Sequence, residues 1–112
     1  MTAGERLKQI QGLFEDLGGK YPDVLQKFME FNQAAVEPGA IDQKTKEVIA
    51  VAVSVASQCQ WCITYHARQA LELGGATENE LIEAGLVAVS ISGGSAAMHM
   101  IPLREAIREF KK

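Results

Sequence analysis

A chain of 112 residues, 47% of them apolar, is long enough to bury a core, and a single domain spanning 1–112 is expected. Its 11 basic and 14 acidic residues are interspersed and leave a formal charge of −3, which excludes a basic footprint for nucleic acid or an anionic membrane. The charged start TAGERLKQIQ lacks the parts of an export signal, so the protein is expected in the cytoplasm.

The spacing of apolar residues predicts an all-α fold of about six helices. Leu7, Ile10, Leu13, Phe14 and Leu17 form one stripe on a first helix from Glu5 to Leu17, which Gly18-Gly19 is expected to end in a left-handed turn. A second helix begins near Pro22, a residue favoured in a first turn, and carries Val24, Leu25, Phe28, Met29 and Phe31 towards Pro38-Gly39. Asp42 fits the cap of a third, from Gln43 to Ser57, although VIAVAVSVA is rich in β-branched residues and equally fits a buried strand. The fourth runs from near Cys59 to Leu73 and stops at Gly74-Gly75.

Thr77 to Glu80 reads as a capping box for a fifth helix, whose apolar face Leu81, Ile82, Gly85, Leu86 and Val89 continue. Gly93-Gly94 predicts a bend before the last helix, which starts or kinks near Pro102. The uncharged stretch from Ala84 to Leu103 has the length of a membrane span. Its serines, glycines, His99 and Pro102 dilute it, and it reads as buried protein.

Both cysteines and one of the two histidines fall between Cys59 and His66. On a helix turning about 100° per residue, positions 59, 62 and 66 lie within an arc of roughly 60° and share a face. The first turn of a helix presents unpaired amides and partial positive charge, which stabilise a thiolate. If the third and fourth helices form an antiparallel hairpin turning at Ser57-Gln58, Glu47 lies opposite His66 to Arg68 and flanks the imidazole. Glu47, His66, Cys62 and Cys59 then supply the orienting group, base and thiols of nucleophilic thiol chemistry.

Glu47, eleven intervening residues, Cys59-x-x-Cys62, three residues, His66, and then Ala-x-x-x-Gly-Gly-Ala-Thr from Ala70 to Thr77 form a longer pattern. It resembles the AhpD-like alkylhydroperoxidases of the carboxymuconolactone decarboxylase superfamily over about Leu25 to Phe110. The resemblance implies an all-helical homotrimer or homohexamer, with the redox motif at the start of a central helix and no cofactor or metal. It also implies a thiol-dependent peroxidase or disulfide oxidoreductase acting on alkyl hydroperoxides, re-reduced by an unidentified thiol or dithiol. In that scheme Cys62 attacks the peroxide oxygen, Cys59 closes the disulfide, and Glu47 and His66 relay the proton. Trp61 stands where a two-module relative carries a histidine, and the lactone decarboxylases of the superfamily typically lack the thiol pair.

Other readings compete. The cysteines could be small buried hydrophobes, or join His66 and His99 as a zinc site, although zinc chains usually repeat their closely spaced pairs. A strand followed by C-x-x-C and a helix also opens a thioredoxin-like site, but no further strands are predicted to complete a sheet. A redox-sensing oligomeric module and a carboxymuconolactone decarboxylase-like lyase are the remaining alternatives. His99 reads as a core or interface histidine, and Trp61 and Tyr65 as packing or the apolar mouth of a site.

Overall fold

Thr2 opens the chain with a capping box that the sequence reading did not include. Its hydroxyl accepts the Glu5 amide at 3.1 Å, and the Glu5 carboxylate accepts the Thr2 amide at 2.9 Å. In this computed structural model, which describes all residues 1–112, the helix that follows is α1 (Ala3–Lys20). It runs straight through Gly18-Gly19, contrary to the expected stop. Pro22 sets the break instead, because it drives Tyr21 out of helical geometry, to φ −134° and ψ 64°. Gly18 serves close packing: a Cβ there would lie 3.1 Å from Leu25 Cδ2.

The remaining helices are α2 (Pro22–Val36), α3 (Gln43–Ala56), α4 (Gln60–Glu72), α5 (Glu78–Ser92), α6 (Gly94–Met98) and α7 (Met100–Phe110). No strand is present, so a thioredoxin-like sheet is absent and VIAVAVSVA is helical. Asp42 caps α3 by accepting the Thr45 amide at 2.8 Å, and Thr77 and Glu80 form the expected box on α5. Gly75, at φ 71°, follows α4 in the left-handed conformation. Gly93, at φ 84°, makes the bend after α5, but the next break falls at His99. Pro102 therefore sits in the first turn of α7, where its missing amide costs nothing.

The core lies where α3 packs between α4 and α5 and where α7 closes on α4. Val51, Val55, Ile63, Leu81, Leu103 and Ile107 are fully or almost fully buried there, each worth about 1.5–3 kcal/mol of transfer free energy. The start of α1 is fastened to α7 by polar contacts. Glu109 accepts the amides of Ala3 and Gly4, and Arg6 reaches Glu105 at 2.7 Å, Thr64 at 3.3 Å and the Met1 carbonyl at 3.1 Å.

Two surfaces stay apolar and uncovered. Helix α2 buries none of its residues, and Val24, Phe28 and Phe31 stand in solvent. The Ala84 to Leu103 stretch, expected to be buried, buries only its small residues and its last two positions. Leu86, Val87, Met98 and Ile101 are exposed, and Ile91 is 83% exposed. The helical period explains this: one face of α5 turns to α3 and the other finds no neighbour in this chain. No helix is long and apolar enough to cross a membrane.

Candidate redox site

The turn between α3 and α4 places the cysteines. Helix α3 ends as the Ser57 amide and hydroxyl both donate to the Val53 carbonyl. Gln58 then takes a left-handed φ of 58°, and the Cys59 amide donates back to Ser54 O at 3.3 Å. This tight reversal leaves Cys59 extended as the N-cap of α4, where its Sγ accepts the Cys62 amide at 3.1 Å. Cys59 and Cys62 are joined as a disulfide, with their Cα atoms 5.2 Å apart.

Cys59 is half-buried and Cys62 exposed. Cys62 and His66, one turn apart on α4, line one side of a mostly apolar trough of about 450 Å³. Ile49, Ala50 and Val53 of α3 and Ala35 and Val36 at the end of α2 complete its apolar lining. Burial lowers the pKa of His66 below its ordinary value, which favours the neutral imidazole that a base requires. Its Nδ1 is buried without a hydrogen-bond partner, and Tyr65 stands edge-on to the ring, with centroids 5.2 Å apart.

Glu47 lies on α3 of the same hairpin and is only 4% exposed. Its Cβ and Cγ pack beside Gly74, just past the end of α4. None of the five ion pairs of the molecule includes Glu47 or His66. Burial raises the Glu47 pKa.

Of the four expected site residues, Cys59, Cys62 and His66 come together at the start of α4, and Glu47 is buried on α3 of the same hairpin. His99 lies apart, its Nδ1 2.7 Å from the Ser95 carbonyl, and no three His, Cys, Asp or Glu side chains converge as a metal cluster. Trp61 turns away towards α1 and donates its indole N–H to Gln9 Oε1 at 2.8 Å. The sequence reading missed Lys46, which lines the trough. No spacing rule connects a first-turn lysine of α3 to the end of α2.

Comparison with known proteins agrees with this architecture. The sequence profile of the carboxymuconolactone decarboxylase family matches residues 22–106. A carboxymuconolactone decarboxylase family protein of Legionella pneumophila superposes with a TM-score of 0.92 at 36% identity, over 98% of this chain and 97% of that one. A family protein of Thermotoga maritima, whose description raises without settling an involvement in antioxidative response, superposes with a TM-score of 0.81 at 25% identity, over 94% of this chain and 88% of that one. An uncharacterised protein of Cupriavidus necator is 34% identical over 84% of this chain and 82% of its own length. One from Haemophilus influenzae is 39% identical over 59% of this chain, an alignment that spans 58% of that relative. With its helices, hairpin and thiol pair in the arrangement described, the chain belongs to the carboxymuconolactone decarboxylase family, within the AhpD-like superfamily.

Proposed function

We propose that this chain is a thiol-dependent peroxidase that reduces organic hydroperoxides at the expense of a dithiol. The observation that carries the reading is the pairing of Cys62 with a desolvated, partner-free imidazole in one apolar trough, beside a second thiol already within bonding reach. The antioxidative description of the Thermotoga relative supports it. In the reduced protein, His66 takes the Cys62 proton and the thiolate attacks the distal peroxide oxygen. The O–O bond breaks, the alcohol leaves with a proton, and Cys62 becomes a sulfenic acid. Cys59 attacks that sulfur, a disulfide forms and water leaves. A dithiol donor then restores both thiols by exchange and is itself oxidised to a disulfide.

Glu47 is the outer member of the relay and closes on His66 Nδ1 when substrate binds, since catalytic hydrogen bonds are commonly loose in empty sites. The assembly is a homotrimer or homohexamer in the cytoplasm. That oligomer is supported by a helix with no buried residue and by the exposed apolar side chains of α5 and α6.

Peroxide consumption with dithiothreitol as reductant tests the chemistry. Cys62→Ser abolishes turnover, whereas Cys59→Ser accumulates a sulfenic acid after one equivalent of peroxide. Full turnover by Cys62→Ser would remove the reading. Light scattering that shows a monomer at micromolar concentration would remove the assembly.

A further inference from the structure

The last turn of α2 contributes Ala35 and Val36 to the lining of the trough, yet α2 buries nothing in this chain. One side chain ties that turn to α3. Lys46 donates its ammonium to the Ala35 carbonyl at 3.0 Å and to the Glu37 carbonyl at 2.6 Å. These carbonyls end a helix, where no later amide pairs with them and where partial negative charge favours a cation. The loop that follows passes close over the same group: a Cβ on Gly39 would lie 3.9 Å from Lys46 Nζ.

We infer that Lys46 is a positioning residue. By clamping the end of α2, it holds Ala35 and Val36 in the lining they share with Cys62 and makes the site prefer bulky apolar substrates over small polar ones. Its ammonium is spent on the α2 carbonyls, so it acts through the lining. An intact lining removes the apolar part of a substrate from water, which favours a hydroperoxide with a large hydrocarbon group over hydrogen peroxide. The substrate class rests on the peroxidase reading; the clamp does not.

The test therefore has one arm that needs no peroxide. In a reduced Cys59→Ser background, so that Cys62 is the reacting thiol, alkylation rates are compared for N-ethylmaleimide and the bulky, apolar N-(1-pyrenyl)maleimide. Lys46→Met lowers the pyrenyl-to-ethyl ratio by about threefold or more, and Lys46→Arg, which keeps the cation, preserves it. Val36→Ala, which thins the lining and leaves the clamp intact, moves the ratio in the same direction. In the parent protein, Lys46→Met also lowers kcat/KM for cumene hydroperoxide relative to hydrogen peroxide, chiefly through KM. An unchanged alkylation ratio in Lys46→Met and Val36→Ala, or an arginine variant that behaves like the methionine one, overturns the inference. Absence of peroxide turnover in the parent protein overturns the peroxidase reading instead, while the alkylation ratio still judges the clamp.

Discussion

Glu47 rests its side chain against Gly74: a Cβ built on Gly74 would lie 3.3 Å from Glu47 Cγ and 3.0 Å from the Ala70 carbonyl oxygen. Burial there disfavours the charge of the acid. Gly74→Ala crowds this contact and lowers stability by about 1–3 kcal/mol, measured by urea unfolding.

The same burial gives a sign to the pH dependence of stability. The folded protein holds the Glu47 proton more tightly than the unfolded chain does, since its pKa is raised above 4.5. The stabilisation that this provides is complete below 4.5 and is lost as pH rises through the raised folded value. Glu47→Gln, which never ionises, therefore melts at a higher temperature than the parent at pH 7, and the difference shrinks towards pH 4. Equal midpoints at both pH values would contradict this.

For His66 the direction is reversed. Its folded pKa lies below 6.5 because burial penalises the imidazolium, so the base form persists to lower pH than in a free histidine. Alkylation of Cys62 in the Cys59→Ser protein is expected to show an acid limb below pH 6.5, and His66→Gln to remove that limb and slow the reaction at pH 7. A limb at or above 6.5 would count against His66 as the base.

Two glycines separate tight packing from open space. A Cβ on Gly85 would lie 2.5 Å from Met100 Sδ and 3.0 Å from Leu103 Cδ2, whereas one on Gly12 meets nothing within 4 Å. Gly85→Ala is expected to cost about 1 kcal/mol, because the Met100 thioether must swing aside and the buried Leu103 must give slightly. Gly12→Ala gains about 0.5–1 kcal/mol by restricting the unfolded chain and favouring the helix. Chemical denaturation of the two variants side by side checks both signs.

Arg6 is 6% exposed and tied to Glu105, whose side chain is 35% exposed. Removing the acid strands a buried cation, whereas removing the cation leaves an acid that water reaches. Glu105→Ala should therefore cost more than Arg6→Met, the latter by about 1–3 kcal/mol. The opposite order in urea unfolding would mean that the packing of the arginine stem outweighs its charge.

The helices were legible where their ends carry local chemistry. Asp42, Pro22, Gly75 and the Thr77 and Glu80 box act within a few residues of themselves, so neighbouring sequence contains the whole cause. Gly18 was misread because its use depends on Leu25, a partner across a helix pair that only the folded geometry supplies. The thiol pair and His66 were legible for the same local reason, since they share one helix start. Glu47 lies on another helix. Its place against α4 depends on how the two helices pack, which residue spacing alone does not encode. The exposed apolar residues of α2 and α5 kept their helical stripes but not the burial the stripes suggest, because nothing within one chain covers them.

The sulfur of Cys59 caps the start of α4 as well as bonding to Cys62. When the bond to Cys62 is cleaved, that sulfur faces the same backbone N–H with greater electron density, so the helix start is reinforced by reduction rather than loosened. Under the proposed function, the cap would therefore persist in both states of the pair, so that reduction would not cost α4 its first turn.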